Sequence, residues 1–138
     1  MPDQIRLLVV EDVPQVAQYV RGLLNSQSAI KLLDVVSDGS RVLPLVGELR
    51  PDVIMVDALL QGRVKGMSLV AQLHQSGLKV PVIVLTVPQQ PVATDPGNGV
   101  HGVLAFHISS FRDPWLPWRP LEERVDLMFE TLIKGLQD

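Results

Sequence analysis

The sequence contains no cysteine, which excludes disulfides, thiol nucleophiles and cysteine-ligated metals. No apolar stretch approaches the roughly 18 to 20 residues needed to cross a bilayer. The N-terminus, Met-Pro-Asp-Gln-Ile-Arg, runs straight into a strand pattern and shows no signal-peptide organisation. Basic excess is also lacking: the formal net charge is −3, with a pI near 5.5. Such a balance gives no electrostatic reason to expect nucleic acid as a direct ligand. No internal repeat or low-complexity tract interrupts the chain. A soluble cytoplasmic protein with no membrane partner is the simplest expectation.

What remains is 138 residues, 46% hydrophobic and 20% charged, the proportions of one ordinary globular domain. Short apolar runs alternate with amphipathic stretches, which argues for an α/β doubly wound parallel sheet. Ile5 to Val10 is apolar on both faces, as a buried parallel strand should be. Asp12 is placed to cap the next helix, with Pro14 in its first turn. Val13, Val16, Ala17, Val20, Leu23 and Leu24 then share one helical face. Ile30 to Val36 reads as a second strand, followed by a helix from about Arg41 to Leu49 that must hold Pro44 in its first turn. Asp52 to Asp57 is the third strand. A polar loop, Gln61 to Gly66, leads into a helix carrying Met67, Leu69, Val70 and Leu73, with Gly77 as its stop. Val80 to Thr86 and Gly102 to Ile108 are strands four and five. Pro120 opens a last helix with Leu121, Val125, Met128, Leu132 and Leu136 in a stripe. Between strands four and five, Pro88, Pro91, Pro96, Gly97 and Gly99 leave room for one short helical turn, since proline costs a helix interior about 3 kcal/mol.

In open sheets of this kind, chemistry gathers at the carboxyl ends of the strands. Glu11 and Asp12 arrive there after strand one, and Asp57 ends strand three. If strands one and three are neighbours, three carboxylates meet, repel, and one takes up a proton. A divalent cation resolves the repulsion, and Mg²⁺ favours a few carboxylate oxygens with water and a phosphate. An aspartate beside Mg²⁺ is also a competent nucleophile toward phosphorus. Singly, each residue has a plainer reading: Asp12 as a helix cap, Glu11 as a first-turn acid, Asp57 as a strand end, Thr86 as a β-former.

Together they form a known pattern. Leu7-Leu-Val-Val-Glu-Asp-Val-Pro14, Pro51-Asp-Val-Ile-Met-Val-Asp57 and Val80-Pro-Val-Ile-Val-Leu-Thr86 resemble three signature segments of CheY-like response-regulator receiver domains. Gly99-Val-His-Gly102 is similar to the turn before that family's fifth strand. The resemblance covers roughly residues 5–106. It implies a flavodoxin-like, three-layer, five-stranded parallel sheet, with the fourth helix short or missing. It further implies that Asp57 is the phospho-acceptor and that Glu11, Asp12, Asp57 and the Leu59 backbone carbonyl hold Mg²⁺. Thr86 would hydrogen-bond a phosphoryl oxygen and move toward it on activation. The whole chain, 1–138, reads as one such domain, with 109–120 an extended loop before the last helix.

Several positions depart from the family. Phe106 stands at the usual lysine and His107 at the usual proline, so a charge-assisted hydrogen bond of about 1.5–3 kcal/mol is lost. Lys65 or Arg63 could reach across, or they are ordinary solvated loop charges. His107, His101 and His74 read as structural histidines, and nothing in the sequence suggests a zinc site. Val103 replaces the aromatic switch residue. Leu60-Gln61 replaces a methionine-proline pair, and Gly66 sits one residue later than its counterpart. Trp115 and Trp118 either cover the sheet edge or anchor a homodimer or partner domain.

Two functions follow. The first is a signal-transduction receiver that accepts a phosphoryl group on Asp57 from a histidine kinase or phosphotransfer protein and signals through protein contacts. The second is a pseudo-receiver, an interaction or dimerisation module that works without phosphate; Phe106, Val103 and the broken fourth helix favour it. Neither makes the chain an enzyme beyond self-directed phosphotransfer or dephosphorylation. A flavodoxin-like cofactor binder would need a glycine-rich or hydroxyl-rich phosphate loop after strand one. An aspartyl phosphatase would need a second aspartate near Asp57-Ala58-Leu59. The sequence has neither feature. An output domain, if there is one, lies outside these residues.

Overall fold

The computed structural model describes residues 4–25, 30–58, 60, 65–86, 92 and 99–105. Five parallel strands form one sheet: β1 (Ile5–Val10), β2 (Ile30–Val36), β3 (Val53–Asp57), β4 (Val82–Thr86) and β5 (Gly102–Ala105). Their spatial order is β2-β1-β3-β4-β5, so β1 and β3 are neighbours. Three helices are described: α1 (Pro14–Asn25), α2 (Val42–Leu49) and α3 (Gly66–Gln75). A short 3-10 turn, Gly39–Arg41, leads into α2. No described helix is long and apolar enough to cross a membrane.

The uninterrupted apolar runs have a simple cause. Every residue of β3 and β4 is buried, because helices cover both faces of a parallel sheet. Alternate residues feed two cores. Leu7, Val9, Met55, Ile83 and Leu85 lie on one face with Val20 and Leu24 of α1. Leu8, Val10, Ile54, Val56 and Val84 lie on the other with Val42 and Val46 of α2 and Leu69, Val70 and Leu73 of α3. At edge strand β2 the register slips by one, leaving Leu33 as a bulge. There the Asp34 side chain accepts the Val35 amide at 2.8 Å.

Several sequence expectations are refined. The helix α1 begins at Pro14, and the Ala17 amide donates to the Val13 carbonyl at 2.9 Å. Val13, not Asp12, therefore stands at the cap position, and it is 42% exposed rather than part of the buried face. Met67 is likewise exposed, while its companions Leu69, Val70 and Leu73 are buried. Pro44 does sit in the first turn of α2, and Gly77 does end α3, with φ at +80°. The strands β3 and β4 start later than the apolar pattern suggests, at Val53 and Val82. The proline-rich stretch between β4 and β5, the end of strand five beyond Ala105 and the last helix lie outside the described residues. So does the tryptophan-bearing loop.

Candidate functional site

The site follows from register. Val10 of β1 pairs with Val56 of β3. One step further along both parallel strands puts Glu11 beside Asp57. Strand alternation places both on the face of Val9 and Met55. The ladders extend just past the strand ends to hold them: the Glu11 amide donates to the Val36 carbonyl at 2.9 Å, and the Ala58 amide to the Leu85 carbonyl at 2.8 Å. Asp12 follows directly, and one ligand oxygen from each of Glu11, Asp12 and Asp57 lies within 4.8 Å of the others.

Burial makes this an unusual cluster. Glu11 is 2% exposed and Asp57 6%, while Asp12 is half-buried. The Glu11 pKa is pushed from 4.5 up to about 9, first by desolvation, then by its side-chain contact with Asp57 and by the charges of Asp57 and Asp12. The Val13 amide, donating to Glu11 Oε1 at 3.1 Å, pulls the other way. Oε2 of Glu11 is buried with no donor facing it. Without a cation, the carboxyl–carboxyl contact between Glu11 and Asp57 is a hydrogen bond only while one of the two holds a proton. The sequence left open which of the three acids would be protonated; desolvation together with the neighbouring Asp57 raises the pKa of Glu11.

Thr86 ends β4, one residue beyond Leu85, the partner of Asp57, and is 1% exposed. It therefore belongs to the same end of the sheet. Lys65 is exposed just before α3. Leu59, Arg63, Phe106 and His107 lie outside the described residues. His101 is far along the strands from the acids: it precedes β5, and its Nδ1 accepts the Val82 amide at 3.1 Å. His74 is exposed near the end of α3. Val103 is half-buried against the α2/α3 core.

The sequence marks Gly66 only as displaced by one residue from its family counterpart, without showing what it packs against. Gly66 opens α3 so close to the acceptor strand that a Cβ there would overlap the Asp57 carbonyl oxygen and come within 3.0 Å of the Ala58 backbone. Its φ is not positive, so space, not backbone freedom, demands glycine. A glycine at a helix start lacking a side-chain cap was the available signal.

Residues 7–97 match the family described as response regulator receiver domain. The chain belongs to that family. Over 88 residues it is 35% identical to a protein-glutamate methylesterase/protein-glutamine glutaminase of Myxococcus xanthus, covering 64% of this chain and 25% of that protein. It is 33% identical over 87 residues to the DNA-binding response regulator MtrA of Mycolicibacterium smegmatis, covering 63% of this chain and 36% of that protein. The response regulator domain of Thermotoga maritima CheB superposes with a TM-score of 0.71 at 20% identity, covering 92% of this chain and 95% of that one. That likeness shows the fold.

These relatives correct one expectation. The sequence reading placed the chain outside the enzymes, yet the receiver segment is shared with a protein named as a methylesterase and glutaminase. The same segment also occurs in a DNA-binding regulator. A receiver is thus a module found with different outputs, and its own residues do not mark the output as non-enzymatic. The chain spans about a quarter to a third of the length of these relatives.

Proposed function

We propose that this receiver domain accepts a phosphoryl group on Asp57 from the phosphohistidine of a histidine kinase or phosphotransfer protein, and that Mg²⁺ is the required cofactor. The observation that carries the reading is the convergence of Glu11, Asp12 and Asp57 within 4.8 Å. Glu11 Oε2, buried without a donor, fits a cation as its missing partner. Glu11, Asp12 and Asp57 would hold the ion, with the Leu59 carbonyl as a further ligand by family resemblance. When bound, Mg²⁺ offsets the negative charge on the phosphoryl oxygens.

The remaining chemistry belongs to the side chains. A carboxylate oxygen of Asp57 forms the new O–P bond as the P–N bond to the donor imidazole breaks. The electron pair stays on the imidazole nitrogen, which then takes a proton from water. Burial of Asp57 and Glu11 limits water around the acyl phosphate. Thr86, at the end of β4, supplies a hydroxyl for a phosphoryl oxygen. Receiver domains work with histidine kinases and output domains; by analogy with its relatives, this one passes its state to an output through protein contacts. Its specific kinase-side partner is of the phosphohistidine class.

Intact mass after incubation with Mg²⁺ and acetyl phosphate tests the reading, with Asp57→Asn as control. A phosphoryl adduct that requires Mg²⁺ and vanishes in the variant is expected. Absence of both Mg²⁺ binding and adduct at millimolar donor would overturn it and leave a phosphate-independent interaction module.

A further inference from the structure

We infer that Gly66 is a positioning residue for the phosphoryl-accepting site, holding the Asp57 main chain in place by allowing α3 to start directly against it; this rests on the function proposed above. A Cβ on Gly66 would overlap the Asp57 carbonyl oxygen and approach the Ala58 Cα and carbonyl carbon at 3.0 Å. Something must then shift, and the surroundings decide what. The helix α3 is fixed by Leu69, Val70 and Leu73, all buried in the core, and by the Leu69 amide donating to the Lys65 carbonyl at 2.9 Å. On the other side, Asp57 is the last residue of β3. Beyond it the chain turns, with the Leu60 amide donating to the Asp57 carbonyl at 3.1 Å. That carbonyl is the group a new methyl would meet first. The overlap therefore bears on the Asp57–Ala58 peptide, which the Ala58 amide ties to the Leu85 carbonyl at 2.8 Å. Any shift of that peptide is passed to the Asp57 carboxylate that must lie beside Glu11 and Asp12.

Two other helical glycines give internal controls. Gly22 in α1 and Gly47 in α2 have nothing within 4 Å of an added Cβ. Alanine at either should leave the site untouched and strengthen its helix. The experiment compares Gly66→Ala with its parent in a Gly22→Ala/Gly47→Ala background, which keeps the fold intact. Folding is checked by circular dichroism in EDTA, Mg²⁺ affinity by calorimetry, and phosphorylation by acetyl phosphate at saturating Mg²⁺. Gly66→Ala is expected to remain folded, bind Mg²⁺ about tenfold more weakly and phosphorylate about 10- to 100-fold more slowly, as misplacement of a reacting group by about 1 Å does. Parent-like affinity and rate in folded Gly66→Ala would overturn the inference. So would loss of the fold in the stabilised background, because the glycine would then serve the core rather than the site. A parent that takes no phosphoryl group is a different failure, that of the proposed function itself.

Discussion

Glu11 and Asp57 stand side by side one step beyond the Val10–Val56 pair, and their carboxyl groups meet in a buried site. Two acids on adjacent strands of a closely spaced parallel sheet cannot both be ionised there without a counter-charge. The metal-free domain therefore keeps a proton on Glu11, whose pKa of about 9 lies well above 4.5. A group with a raised folded-state pKa favours folding most when protonated. That contribution is complete below about pH 4.5 and is lost as pH climbs toward about 9. In EDTA, denaturant midpoints of the parent should fall relative to Glu11→Gln between these limits. Parallel pH curves for the two proteins would refute the assignment.

A bound cation reverses that preference, because Mg²⁺ requires the carboxylate. Binding near neutral pH should release protons, seen as a calorimetric heat that changes with the ionisation enthalpy of the buffer. Affinity should tighten as pH rises. Asp12→Asn or Glu11→Gln should weaken Mg²⁺ by at least the roughly 10- to 100-fold that outer partners of a metal site are worth. An Asp12→Asn protein that binds Mg²⁺ as tightly as its parent would remove Asp12 from the ligand set.

Most of this site was legible because it is made of register. β1 and β2 appear in the sequence with the bounds they have in the structure. For β1 the reason is that a strand buried on both faces leaves an apolar run. In edge strand β2, Ile30, Leu32, Leu33, Val35 and Val36 keep a β-branched and apolar run around exposed Lys31 and Asp34. Glu11, Asp12, Asp57 and Thr86 could be placed at one end because strand ends in this topology share an end. What the pattern did not reveal were effects of three-dimensional closeness. Val13 looked like a core residue because it has helical spacing, but it precedes the helix and faces outward. Gly66 could be read as the end of the acceptor loop, one residue later than its family counterpart, but nothing in a linear sequence shows that the Asp57 carbonyl is behind it. The output escaped for another reason: a module shared by an esterase and a DNA-binding regulator carries no mark of either.

At the other pole of the sheet, Arg6 of β1 holds the end of α2. Its Nη2 donates to the Leu49 carbonyl at 2.6 Å, and its Nε reaches the Arg50 carbonyl at 3.5 Å. A cation at a helix C-terminus satisfies carbonyls left without intrahelical donors and offsets the dipole. Arg6→Ala should cost about 1–2 kcal/mol in denaturant unfolding, with Mg²⁺ affinity unchanged. An equal loss of metal binding would mean that the two poles are coupled.

Gly77 and Gly99 separate backbone strain from crowding. Both have positive φ, +80° and +81°, where an L side chain costs about 1–2 kcal/mol. Around Gly77 nothing lies within 4 Å of an added Cβ, so Gly77→Ala should show that cost alone. At Gly99 the new methyl would meet the His74 Cβ at 2.8 Å and Cγ at 3.0 Å. Gly99→Ala should therefore destabilise more than Gly77→Ala, because the His74 atoms it meets include the Cβ fixed to α3. In a His74→Gly background that Cβ is gone, and the penalty of Gly99→Ala should shrink to the Gly77 value while Gly77→Ala is unaffected. A double-mutant cycle in urea measures both. If Gly99→Ala costs the same with and without the His74 side chain, the contact between the β5 turn and α3 is not what requires glycine there.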